Sequence, residues 1–122
     1  KNQIKKGISG TKEVLHHFKN GTSIALMIDQ RVSQGIKSSF FNFEALTTTI
    51  PAQFIKKFNC SVVPIYIERE NNFNFKLKIY EPITYPKDQT IETITLNLNQ
   101  ILEKMILKKP GQWIWSHDRW KI

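Results

Sequence analysis

Three groups of residues in this 122-residue chain have types and spacing that could do chemistry. Asp29-Gln30-Arg31 directly follows the apolar run Ile24-Ala25-Leu26-Met27-Ile28, which reads as a strand covered on both faces. A carboxylate at that point sits at the carboxyl end of a sheet, where open α/β folds form their ligand crevices. The same residue would equally start a turn or cap the next segment. Downstream, Arg31, Lys37, Phe40, Phe41 and Phe43 share one stretch. Aromatics beside cations can line an apolar cleft or stack on bases, or can pack a small cluster beneath their own loop. The third group is the tail, where Trp113 to Lys121 holds three Trp together with His117, Arg119 and Lys121. Such a mixture suits a membrane interface or a phosphate-bearing ligand, and it would also anchor the chain end with Arg119 stacked or paired.

Other arrangements are excluded by spacing. His16 and His17 are adjacent rather than four apart on one helix face, so no zinc pair is expected. The five glycines form no phosphate-cradling loop. Cys60, the one cysteine, rules out an internal disulfide and reads as an ordinary strand-edge thiol rather than a nucleophile. Neither a metal nor a cofactor is expected.

The elements that must position these groups follow from periodicity. A short helix is predicted over Ser9 to Gly21, capped by Ser9 or Thr11, with Val14, Leu15 and Phe18 on one face. The strand Thr22 to Ile28 comes next. Arg31 to Ile50 shows no clear period and reads as a long loop. Pro51 opens a second helix carrying Ala52, Phe54, Ile55 and Phe58. Cys60 to Ile67 reads as a strand whose Pro64 marks an edge, bulge or end, and it hairpins to the alternating run Phe73 to Tyr80. A long helix from about Asp88 to Lys109 carries Ile91, Ile94, Leu98, Ile101, Leu102 and Met105 as a stripe, and Pro110 terminates it. The order predicts one α/β domain with a mixed sheet flanked by helices.

Composition narrows the function classes. The net charge is +8, but 15 of the 18 cations are Lys, and Lys, Ile and Asn together make up 41 of the 122 residues. That skew reads as composition bias, so charge alone does not select an anionic partner. The longest apolar runs are five and six residues, far short of the ~20 that span a bilayer.

With these residues in view, the chain resembles the C-terminal part of the bacterial lipid A biosynthesis acyltransferases, the lauroyl and myristoyl transferase branch of the lysophospholipid acyltransferase superfamily. The resemblance covers about Thr11 to Lys121. It runs through Gly21 and Asp29-Gln30, Phe40-Phe41 with Ala45 and Thr47-Thr48, Pro51, Val63-Pro64, Tyr80-Glu81-Pro82-Ile83, Thr95 to Asn99, Glu103 and Ile106. Its most specific piece is the Pro-x-x-Trp-x-Trp-x-His-x-Arg-Trp-Lys string from Pro110 to Lys121. One departure is Asn42 where the family has Gly after Phe-Phe; Asn tolerates positive φ, so the turn is expected to survive.

The resemblance implies a glycerolipid/lysophospholipid acyltransferase-like fold, of which residues 1–122 are the C-terminal portion. It implies transfer of a fatty acyl group from acyl carrier protein to a hydroxyl of a lipid A precursor, at the cytoplasmic face of the bacterial inner membrane. The family's base is a His-x-x-x-x-Asp/Glu motif, and none of His16, His17 or His117 has an acid at that spacing. The general-base His is therefore expected upstream with a membrane anchor, leaving this portion soluble and inactive by itself. Asp29 takes a supporting catalytic role, while Gln30, Arg31, Phe40, Phe41, His117 and Arg119 are candidates for substrate binding. Two other readings stay open: a basic module for single-stranded nucleic acid using Phe40, Phe41 and the Trp tail as stacking platforms, and a non-catalytic membrane-surface module. The resemblance favours a membrane surface over nucleic acid.

Overall fold

In the computed structural model, which describes residue 4 and residues 8–121, the order is α1 (Ile8–Lys19), β1 (Ile36–Phe40), β2 (Phe43–Thr47), α2 (Ile50–Phe58), β3 (Ile65–Arg69), β4 (Phe75–Ile79) and α3 (Ile91–Ile106). Two single 3₁₀ turns, Pro110–Gln112 and Trp115–His117, follow. Helix α1 begins at Ile8, so Ser9 and Thr11 lie inside it rather than at its cap.

The apolar stripe of the last helix makes it the spine of the molecule. Thr90 caps α3 by accepting from the Thr93 amide at 3.1 Å, which sets the start at Ile91 rather than Asp88. One flank packs on α2: Ile94 and Leu98 bury against Ala52 and Ile55, with Ile28, Cys60, Val62, Tyr85, Ile91 and Ile101 around them. The other flank packs on the first hairpin, where Ile106 meets Phe40 and Ala45 beside Leu102, Trp113 and Trp120. Helix α1 joins through Phe18, whose ring lies 5.1 Å from both Phe54 and Phe58. Asn59 ends α2 with φ 52°, its amide donating to the Ile55 carbonyl at 2.8 Å.

The mixed sheet is not formed. Among the described residues there are two separate antiparallel pairs, β1 with β2 and β3 with β4. Thr22 to Ile28 has no regular structure, and Met27 is 83% exposed. An apolar run becomes a strand only when a neighbour accepts its ladder bonds, and none of the described strands pairs with it. Conversely, the expected loop contains the β1–β2 hairpin, joined through Phe41 and Asn42 at φ 52° and 64°. Positive φ at both central residues is the two-residue turn whose twist suits a hairpin. The second hairpin starts later than read: Pro64 has no N–H to donate, so only its carbonyl joins, accepting from Tyr80 at 3.0 Å before the ladder begins at Ile65.

The second hairpin has an uncovered apolar face. Ile65 opposes Ile79 and Ile67 opposes Leu77, and with Phe75 all five are 54–63% exposed. Tyr66, on the opposite face, turns inward beneath the Lys108 ammonium, 5.5 Å from its ring centroid. Gln112 clamps the edge of β3, accepting from the Arg69 amide and donating to its carbonyl, both at 2.8 Å. No helix among the described residues is long and apolar enough to cross a membrane.

Gly35 admits the first hairpin's close approach. A Cβ there would lie 2.3 Å from the Thr47 carbonyl oxygen, a backbone atom that cannot move alone. Gly35→Ala is expected to cost about 1–3 kcal/mol through displacement of β2. Gly21, at φ 81° in open space, should lose only about 1 kcal/mol on the same change. Urea midpoints of the two variants give the order directly.

Candidate active-site region around the Asp29 loop and the tail

The tail folds back over the first hairpin. Trp120 Nε1 donates to the Phe40 carbonyl at 2.9 Å, and Trp115 Nε1 donates to the Pro110 carbonyl at 2.8 Å. Trp115 and Trp120 stack at 6.3 Å, Trp113 stands perpendicular to Trp115 at 4.6 Å, and Phe40 touches Trp113 and Trp120 at 5.8 and 5.7 Å. The rings serve one another first. Phe41 reaches Trp115 at 5.6 Å and is held in its left-handed conformation by Glu103, whose Oε1 accepts the Phe41 amide at 2.7 Å. A bulky residue at positive φ costs on the order of 1–3 kcal/mol, which that charge-assisted bond partly offsets.

Arg119 lies under this aromatic layer at 1% exposure. Its Nη1 donates to the Leu46 carbonyl at 2.6 Å and its Nη2 to Thr47 Oγ1 at 2.9 Å, with the guanidinium 5.3 Å from the Phe40 ring centroid. Burial pushes the guanidinium pKa below its ordinary value, and the negative charge of Asp29 works against that shift. Thr47 Oγ1 also accepts from Asn99 Nδ2 at 3.2 Å and donates to the Ala45 carbonyl at 3.1 Å. Asn99, at 0% exposure, donates further to the Ser39 carbonyl at 3.0 Å. A buried polar chain thus runs from α3 through β2 to the tail.

The candidates fall in three positions. Asp29, Gln30 and Arg31 form a half-buried bend, and Arg31 Nε donates to the Lys121 carbonyl at 2.7 Å, tying that bend to the chain end. Phe40 and Arg119 converge with them but are closed off at 0% and 1% exposure, so whatever they contribute passes through the groups they hold. Phe41 is half-buried and His117 lies exposed on the last 3₁₀ turn, both open to a ligand. Asn99, Thr47 and Glu103 are additions that sequence reasoning did not single out as site residues. For Asn99 and Glu103 the signal was a polar row, Thr95, Asn99 and Glu103, spaced by four beside the apolar stripe of α3.

Elsewhere, burial raises the Cys60 thiol above its ordinary pKa, which makes it a poor nucleophile. His17 pairs with Glu13 at 3.9 Å on the surface of α1. Among the described residues no three His, Cys, Asp or Glu side chains are grouped to hold a metal ion. A concavity of about 280 Å³ between α2 and the Tyr85-Pro86-Lys87 segment shares no residue with the tail region.

The fold and this region define a small α/β domain in which one acidic bend and one aromatic, cationic tail are brought together over a hairpin. The family of bacterial lipid A biosynthesis acyltransferases matches residues 2–122, and the chain belongs to that family. Comparison with curated proteins gave no match. Membership points to acyltransferase activity in lipid A biosynthesis, with a lipid A precursor as substrate.

Proposed function

We propose that this chain is the C-terminal portion of an acyltransferase domain that moves a fatty acyl group from an acyl carrier protein thioester to a hydroxyl of a lipid A precursor, at the cytoplasmic face of the bacterial inner membrane. The observation that carries the reading is the family match over residues 2–122. It is supported by the gathering of Asp29, Arg31, Phe41 and the tail in one region.

The base is a His-x-x-x-x-Asp/Glu pair outside these residues. Its imidazole takes the acceptor hydroxyl proton as the oxygen attacks the thioester carbonyl; the tetrahedral intermediate expels the carrier thiolate, which recovers a proton as thiol. Asp29 supports that His, and Gln30, Arg31 and His117 face the phosphorylated glycolipid headgroup. Phe40 and Arg119 shape the wall from beneath, and Phe41 contributes its outer surface. Reading the chain as a portion is supported by the uncovered hairpin face and by the unpaired run Ile24 to Ile28, surfaces that a larger sheet layer covers. The net charge of +8 suits an anionic bilayer and an acidic carrier.

In the protein as encoded, Asp29→Asn is expected to lower the rate of acyl transfer by about 100-fold, with the thermal midpoint moved by no more than a few degrees. An undiminished rate removes Asp29 from the site. Failure of the unsubstituted protein to use an acyl carrier thioester overturns the donor.

A further inference from the structure

Arg119 presents more donors than its neighbours accept. Guanidinium carries five N–H bonds in a fixed fork, and each Nη atom donates one of its own to β2. Its Nε is buried with no hydrogen-bond partner. A buried charged group with an unpaired donor is costly, and the anchoring of the Nη atoms to β2 leaves the unpaired Nε unexplained.

The surroundings indicate what the spare donor is for. Arg31, two residues beyond Asp29, is bonded to the carbonyl of Lys121, two residues beyond Arg119. The Asp29 bend and the Arg119 segment therefore lie side by side. The charge of Asp29 acts on Arg119, yet the two side chains are not among the ion pairs within 4.0 Å formed by the described residues. Asp29 itself sits in a bend outside any helix or strand, where a small backbone adjustment is cheap.

We propose that Arg119 is the positioning residue for Asp29: its free Nε–H is the donor on which the Asp29 carboxylate docks, so that Arg119, without itself touching substrate, sets the place of the acid in the acyl-transfer site. Fork geometry matters for this task. The Nη groups fix the plane of the guanidinium against Leu46 and Thr47, which aims Nε in one direction, whereas a lysine offers a rotatable point charge. This inference rests on the acyltransferase reading for its consequence, but not for the contact.

The test is a cycle in the protein as encoded, using Arg119→Lys, Arg119→Met, Asp29→Asn and the double variants. Arg119→Lys keeps the charge and the apolar stem, and is expected to lower kcat about tenfold while the KM for the carrier thioester changes less than about twofold. Combining it with Asp29→Asn should give no more loss than Asp29→Asn alone, since both remove one function. Wild-type kcat in Arg119→Lys, or losses that multiply to about 1000-fold in the double variant, would overturn the proposal. A second readout needs no activity. Asp29→Asn should shift the thermal midpoint in the Arg119 background and leave it unmoved in the Arg119→Met background; equal shifts in both would overturn the contact. Absence of acyl transfer by the unsubstituted protein, with that midpoint coupling intact, would count against the functional reading alone.

Discussion

Phe40→Ala is expected to lower the urea midpoint by about 2 M, the largest loss from any single truncation in the hairpin core. Phe40 is 0% exposed and meets Phe41 at 4.9 Å, Trp113, Trp120 and the Arg119 guanidinium. Truncating a fully buried Phe costs about 3–5 kcal/mol in transfer and cavity terms, against a total of about 5–15 kcal/mol for a domain. The loss is concentrated because Phe40 is the floor on which the tail rests. Without its ring, Trp120 keeps a hydrogen bond to the residue 40 carbonyl but loses the surface beneath it. Tryptophan fluorescence should accordingly report the transition at lower urea. A midpoint shift below about 0.5 M would mean that the tail does not fold over the hairpin.

Asn99→Ala should cost about 2–3 kcal/mol, because it removes the donor that joins α3 to the hairpin. Asn99 Nδ2 lies within hydrogen-bond distance of Ser38 Oγ at 3.3 Å, the Ser39 carbonyl at 3.0 Å and Thr47 Oγ1 at 3.2 Å. Alanine leaves acceptors in a dry interior with nothing to replace the amide, and that desolvation penalty dominates the loss of packing. Arg119 still holds Thr47 from the other side, so damage should be local. Amide exchange is the discriminating measurement: protection in β1 and β2 is expected to fall while β3 and β4 stay as they were. Asn99→Asp should be worse than Asn99→Ala, since a carboxylate only accepts and would be buried among the same acceptors. Loss of protection spread evenly over both hairpins would contradict the account.

These residues also show where the sequence was readable. The stripe Ile91, Ile94, Leu98, Ile101, Leu102 and Met105 specified α3 because an amphipathic helix writes its buried face at fixed spacing. Pro51 and the apolar positions after it marked α2 for the same reason. The second hairpin was legible as alternation, but alternation tells which side chains share a face and not which face is covered; here the apolar one is open. The first hairpin was missed because two of its inward positions are polar. Ser38 and Thr47 point to Asn99, so the period of two disappears unless the partner is known. Its turn uses Phe41-Asn42 rather than a glycine pair, which removes the usual local signal. Thr22 to Ile28 failed in the opposite way, since apolar content records a wish for burial while a strand also needs neighbours.

The site divides along the same line. The tail stood out by composition, and Asp29 by its place after an apolar run. That Trp113 and Trp120 turn inward, that Arg119 is spent on β2, and that Asn99, Thr47 and Glu103 complete the arrangement are tertiary facts. They bring together residues more than 50 positions apart in the chain.

The most direct test of the central claim is acyl transfer from acyl carrier protein to a lipid A precursor by residues 1–122 alone, followed by mass spectrometry of the lipid product. The account places the His-x-x-x-x-Asp/Glu base outside these residues, and so predicts no acylated product from them and product once the portion bearing that base is joined to them. Acylated product from residues 1–122 by themselves would contradict it.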